Sequence, residues 1–251
     1  MNIIETSALG KRYRRKWALR DCTLAIPAGH IVALVGPNGA GKTTLLTTAV
    51  GLTRPTEGTI SVLGGTQAGA PEALDRIAFV AQDAPLYRQL PVRDMLRVAR
   101  NLNHRWDQPR AIDRLEQLEI PLGQRVGALS GGQKAQLALT IALARRPSLL
   151  VLDEPLAALD PVARDDFLAS VVEAARDEPI SVVLSSHVLA ELERVATYLI
   201  VLTRGEVRVS SPVRDLLETQ GAGLEEIAMR YLRAGAPSSR TDRPSRTDQP
   251  R

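Results

Sequence analysis

Apolar positions along the chain fall into two textures. Short runs that are apolar throughout, or at alternate positions, occur at residues 3–9, 18–26, 31–35, 58–63, 77–81, 149–152, 180–184 and 198–202. Runs of this length bounded by glycine, proline and polar residues predict β-strands. Runs 31–35 and 149–152 are apolar at every position, the pattern of a strand covered on both faces. Apolar residues at three- and four-residue spacing predict helices over 42–50, 92–102, 111–118, 131–145, 161–176, 188–195, 212–218 and 224–232.

The order of these elements is informative. Strands alternate with helices before residue 83 and again from Ser148, which predicts a mostly parallel sheet with helices on its faces. Between them, from about 83 to 146, the pattern is helical and punctuated by Pro85, Pro91, Pro109 and Pro121. That block is expected to be an inserted helical subdomain, about 86–146, within one domain spanning 1–236. Residues 237–251 repeat Ser-Arg-Thr-Asp twice and have no apolar pattern, so this tail is expected to be disordered.

Composition narrows the class. The chain has 251 residues, 44% of them hydrophobic and 24% charged, as a globular domain does. No apolar run approaches the roughly 18–20 residues of a membrane-spanning helix. The start, Met1-Asn2-Ile3-Ile4-Glu5, lacks the pattern of a secretory signal. A single cysteine, Cys22, excludes an internal disulfide and a cysteine-based zinc site. The expected location is the cytoplasm. The net charge of +4 is local: Lys11-Arg12-Tyr13-Arg14-Arg15-Lys16 carries +5 and the tail +2. The run reads as a solvated loop. With eight aromatic residues in all, no base-stacking platform is evident and no nucleic-acid partner is expected.

Chemistry concentrates in a few segments. Gly36-Pro37-Asn38-Gly39-Ala40-Gly41-Lys42-Thr43 matches the phosphate loop G-x-x-x-x-G-K-[ST] in full, after a buried strand and before a helix. Its backbone N–H groups can turn inward around phosphate oxygens, toward which the helix also aims its N-terminus. Lys42 can neutralise the outer phosphates and Thr43 can ligate magnesium; Thr44, next along, joins the nucleotide-binding set. Leu149-Leu150-Val151-Leu152 ends in Asp153-Glu154, which places two carboxylates at the ligand-binding edge of an open sheet. Asp153 suits a magnesium ion, and Glu154 suits a general base acting on water.

Leu129-Ser130-Gly131-Gly132-Gln133 lies about 20 residues before Asp153. With this pentapeptide in that place, the chain resembles the ATP-binding subunit of an ABC transporter. The resemblance covers residues 1 to about 220. It implies a P-loop NTPase (RecA-like) α/β core, an N-terminal antiparallel β subdomain and the helical insertion. It also implies ATP and Mg2+ as ligands, and Ser130, Gly131, Gly132 and Gln133 as a contact to the γ-phosphate of ATP held by a second subunit. Small residues at a helix N-terminus are physically suited to that contact.

Further elements fall in the family's order. Gln82 matches the glutamine that meets magnesium or the attacking water and senses the membrane partner. Ala158-Leu159-Asp160 resembles the loop that crosses the dimer interface. His187, after Ser185-Ser186, matches the histidine that contacts the γ-phosphate; His30 and His104 match nothing and read as surface groups. Tyr13, about 30 residues before Lys42, stands where the family has an aromatic stacked on adenine. Trp17 is its rival and reads as loop or edge packing. Leu156 and Ala157 depart from the family's usual hydroxyl residues, which puts fine coupling at the dimer interface in question. The surroundings of Trp106-Asp107 and the run Leu159-Asp160-Pro161-Val162-Ala163-Arg164 are similar to ATPases of bacterial exporter-type permeases.

The expectation is an ATP-hydrolysing subunit that dimerises head to tail around two ATP and drives a separately encoded membrane permease, with export favoured. The second ATPase subunit is an identical copy or a relative, and the chain sits peripherally on the inner face of the membrane. The permease is expected to dock near Gln82 and residues 83–92, with Tyr87 and Leu90 as apolar contacts. The alternative is a soluble ABC ATPase of a non-transport machine, such as a cofactor-assembly complex.

Overall fold

Two sheets and a helical block organise the computed structural model, which describes residues 1–82, 86–177 and 179–234. The tail 237–251 and residues 83–85 of the expected docking segment lie outside the described residues. The strands β1 (Asn2–Tyr13) and β2 (Lys16–Pro27) form a long antiparallel hairpin. Then follow β3 (Ile31–Val35), α1 (Lys42–Ala49), β4 (Glu57–Val62), β5 (Thr66–Gln67), α2 (Pro71–Leu74) and β6 (Ile77–Val80). The helical block holds α3 (Val92–Leu102), α4 (Gln108–Gln117) and α5 (Gly131–Ala144). Alternation resumes with β7 (Leu149–Leu152), α6 (Pro161–Asp177), β8 (Ser181–Ser186), β9 (Tyr198–Thr203), β10 (Glu206–Pro212), α7 (Val213–Gln220) and α8 (Leu224–Ala234).

The order β2-β1-β4-β5 makes an antiparallel sheet, and β10-β9-β3-β8-β7-β6 makes the main one. Every pairing in the main sheet is parallel except β9 with β10. This is the α/β architecture expected. Because side chains alternate along a strand, β3 and β7 feed two cores at once. Ala33, Val35, Leu150 and Leu152 pack on one face with α5, α6 and α8. Val32, Leu34, Leu149 and Val151 pack on the other with α1 and the antiparallel sheet. The helical block has its own core, where Met95, Leu96, Leu115 and Leu137 meet.

Three expectations need correction. The basic run is not a loop: Lys11, Arg12 and Tyr13 end β1, Lys16 begins β2, and only Arg14 and Arg15 turn. Residues 188–195 are not a helix; one 3-10 turn, Leu189–Glu191, stands there, and Val188 is extended. The Ser186 hydroxyl oxygen accepts the Val188 N–H, a local bond that competes with helix formation. The strand β10 was not expected. It is joined to β9 through Arg204-Gly205, both at positive φ, as a tight hairpin turn requires.

Candidate functional site

The chain leaves β3 directly into the glycine-rich loop. An atom replacing a hydrogen of Gly36 would stand 2.2 Å from the Leu202 carbonyl oxygen of β9, so only glycine fits there. Gly41 takes φ +108°, a left-handed conformation, and turns the chain into α1. The first N–H groups of α1 have no intrahelical partner and face the loop. Lys42 folds back over it, donating to the Gly36 carbonyl at 2.7 Å.

Opposite the loop, β7 ends in Asp153 and Glu154. Asp153 is 2% exposed, and its Oδ1 accepts the Ser185 hydroxyl of β8 at 2.6 Å. The Ser185 oxygen in turn accepts the Glu154 N–H at 2.8 Å. One serine thus fixes both acids, with Glu154 at a positive φ of 48°. The Glu154 carboxylate lies 3.0 Å from Lys42 Nζ and 2.8 Å from His187 Nδ1. Burial pushes this carboxyl upward in pKa. Hydrogen bonds from His187 and Lys42, with the Lys42 charge, outweigh burial and hold it below the ordinary value.

Lys42, Glu154 and His187 line a cavity of about 480 Å³ together with Tyr13, Asn38, Gly39, Ala40, Gly41, Thr43, Thr44 and Gln82. The wall beyond the loop is Tyr13, Lys16 and Trp17 from the first hairpin. Trp17 does pack on an edge, against Gly10 and under the Arg12 guanidinium, but it also faces the cavity. Tyr13 is half exposed, with the Lys11 ammonium 5.2 Å from its ring centre. Lys16 and Ser185 are site residues that sequence reasoning did not single out.

Ser130, Gly131, Gly132, Gln133 and Asp160 do not line this cavity. Ser130 caps α5 by accepting the Gln133 N–H, and the Gln133 side chain accepts the Ser130 N–H. Asp160 accepts the Ala163 N–H at the start of α6. A second cavity, of about 420 Å³, is bounded by Gly131, Ala158 and Leu159, and Gln82 lines both cavities. Leu156 is buried in the main core, so its departure from a hydroxyl residue is absorbed by packing. His30 is partly buried, with Nδ1 2.9 Å from the Thr197 hydroxyl, while His104 is exposed.

A phosphate loop facing a strand-end acid pair, with an aromatic wall above, can bind a nucleoside triphosphate and aim water at its outer phosphate. A family model described as ABC transporter matches residues 19–157. The chain belongs to the ABC transporter ATP-binding family. Members of this ABC ATPase family bind ATP and couple its hydrolysis to transport. The chain is 33% identical over 225 residues to the uncharacterized ABC transporter ATP-binding protein YxlF of Bacillus subtilis (strain 168), covering 87% of this chain and 74% of that protein. It is 36% identical to the aliphatic sulfonates import ATP-binding protein SsuB of Pseudomonas putida, covering 90% and 82%. It is 38% identical to the molybdenum import ATP-binding protein ModC of Mesorhizobium japonicum, covering 76% of this chain and 54% of that relative.

Solved structures agree on the fold. An ATP-binding subunit of an ABC transporter superposes with a TM-score of 0.79 at 29% identity, covering 91% of this chain and 99% of that one. A bacterial ABC transporter cassette solved as a dimer gives a TM-score of 0.74 at 26% identity, covering 84% and 99%. Among the described residues no helix is long and apolar enough to cross a membrane.

Proposed function

We propose that this ABC ATPase closes head to tail on a second ATPase subunit around two ATP and drives a separate membrane permease. The observation that carries the reading is the convergence of Lys42 and His187 on Glu154 within one cavity, while the Ser130 segment lies outside it. A segment built for phosphate contact yet absent from its own subunit's cavity suits a site completed by a partner.

The residues divide the work. Tyr13 offers its ring to adenine. Pro37 and Asn38 extend the loop whose N–H groups hold phosphate oxygens, and Lys42 neutralises their charge. Glu154 orients the attacking water and accepts its proton; the depressed pKa keeps it ionised for that task. His187 holds the Glu154 carboxylate and stands ready for the γ-phosphate.

Thr43, Gln82 and Asp153 offer oxygen donors only, the set that magnesium prefers. Asp153 is the one carboxylate in that set, which fits an ion held mainly by phosphates rather than by a protein cage. Magnesium bound there would offset phosphate charge in the transition state.

For direction, the proposal is export, on the likeness around Trp106-Asp107 and from Leu159 to Arg164. SsuB and ModC, by contrast, are named for import. The subunit would then be peripheral on the inner face of the membrane, attached through the permease. Co-purification from membranes tests the reading: a polytopic membrane protein bound in stoichiometric amount supports it. A soluble scaffold in its place contradicts it, and transport by vesicles of known orientation decides direction.

A further inference from the structure

We propose that Arg164 and Glu191 are positioning residues that clamp the His187 loop to the loop ending at Asp160. Arg164 sits in the first turn of α6. Its Nε donates to the Leu159 carbonyl at 2.9 Å, and its Nη1 donates to Glu191 Oε1 at 2.7 Å. Leu159 immediately precedes Asp160. One planar guanidinium therefore spans the two loops, and its rigid fork limits their relative motion.

The contact continues beyond Glu191. Its Oε2 lies 3.1 Å from the Ser186 hydroxyl, which also has the Val188 carbonyl at 3.1 Å. The single hydroxyl proton favours the carboxylate, the stronger acceptor. The hydroxyl oxygen accepts the Val188 N–H at 3.0 Å. Ser186 and Val188 flank His187, so the network grips the histidine's backbone from both sides. His187 then reaches Glu154 at 2.8 Å.

Two observations give the pair more weight than a surface salt bridge. Glu191 is 14% exposed and Arg164 35%, so water screens them only in part. The network also stands where the local sequence favoured helix: residues 188–195 forgo it, and Leu189–Glu191 makes one turn that presents Glu191 to Arg164. Neither residue lines the nucleotide cavity, so any effect on turnover passes through other groups. The loop of Ala158 and Leu159 lines the second cavity beside Gly131. A displacement of that loop when two subunits close would be carried by the guanidinium to Ser186 and His187.

This inference rests on the role proposed above for His187. Steady-state ATPase assays on the full chain test it. Arg164→Ala should lower kcat about 10-fold and leave KM for ATP within about 2-fold. Added to His187→Ala, the same change should cost less than about 2-fold more, because both act through one group. Arg164→Lys, which keeps the charge, should recover part of kcat. Wild-type kcat for Arg164→Ala, or an undiminished loss in the His187→Ala background, overturns the clamp. A His187→Ala variant at full kcat overturns the reading of His187 and the clamp with it. Reduced His187→Ala beside unaffected Arg164→Ala overturns the clamp alone. If Arg164→Ala does not fold, Glu191→Gln keeps the shape without the charge and is judged by the same criteria.

Discussion

Lys42 Nζ lies 3.0 Å from Glu154 Oε1 and 2.7 Å from the Gly36 carbonyl, so one ammonium joins the phosphate loop to the acid at the end of β7. Both side chains are nearly buried, at 6% and 10% exposure. The pair has consequences for stability and for chemistry.

The first is a pH dependence. The Glu154 carboxyl is buried, which opposes ionisation, yet His187 and Lys42 hold its pKa below the ordinary value. A depressed folded-state pKa contributes stability that is present above the ordinary carboxylate range and is lost as pH falls through the lower, folded value. Urea midpoints of the wild type and Glu154→Gln should therefore converge as pH is lowered from about 7 toward about 3. A constant gap between them would show that the pair does not bias the titration.

The Gly36 site predicts a steric cost. With a Cβ 2.2 Å from a backbone oxygen, Gly36→Ala must shift β3 or β9. The expected loss is on the order of 1–3 kcal/mol by chemical denaturation. Gly123→Ala meets nothing within 4 Å and serves as the control, with a change within about 0.5 kcal/mol. Equal stability of the two variants would contradict the close approach.

Much of this was legible in the sequence, for stated reasons. β3 and β7 are apolar at every position because both faces are covered, and each ends in chemistry that depends on a fixed residue order. β10 was not legible: it is an edge strand in which Glu206, Arg208, Ser210 and Ser211 leave Val207 and Val209 as the sole apolar signal, too short a run to mark a strand. Residues 188–195 carry helical spacing, but Glu191 is drawn to Arg164 and Ser186 from other elements, a competition that no local pattern displays. Lys16 and Ser185 enter the site only through folding. The first hairpin brings Lys16 over the phosphate loop, and the β7–β8 pairing brings Ser185 to both acids.

Ser130 predicts a division between binding and turnover. It caps α5 but lies outside its own subunit's cavity. Ser130→Arg should cost about 1 kcal/mol of stability through the lost cap. ATP binding to the monomer should persist while turnover is abolished. Loss of monomer affinity equal to that of Lys42→Ala, read by isothermal titration, would place Ser130 in the wrong site.

The docking surface proposed near residues 83–92 predicts a partner effect. Tyr87 is 58% exposed, whereas Leu90 is partly buried, and its carbonyl accepts the Val126 N–H. Tyr87 is thus the better contact of the two. Tyr87→Asp should lose the permease in co-purification from membranes. Recovery at wild-type yield would remove Tyr87 from the interface.

The composite ATP site is the central claim, and Glu154→Gln tests it most directly. With the proposed base neutralised, turnover should fall by roughly 10²-fold or more while ATP binding remains. Without hydrolysis, the ATP-bound pair accumulates and comes apart only as ATP dissociates. Light scattering of the purified variant should show its mass double when ATP is added and return to the monomer when ATP is withdrawn. A variant that binds ATP at saturation, hydrolyses it slowly and stays monomeric would contradict closure of two identical copies around the nucleotide.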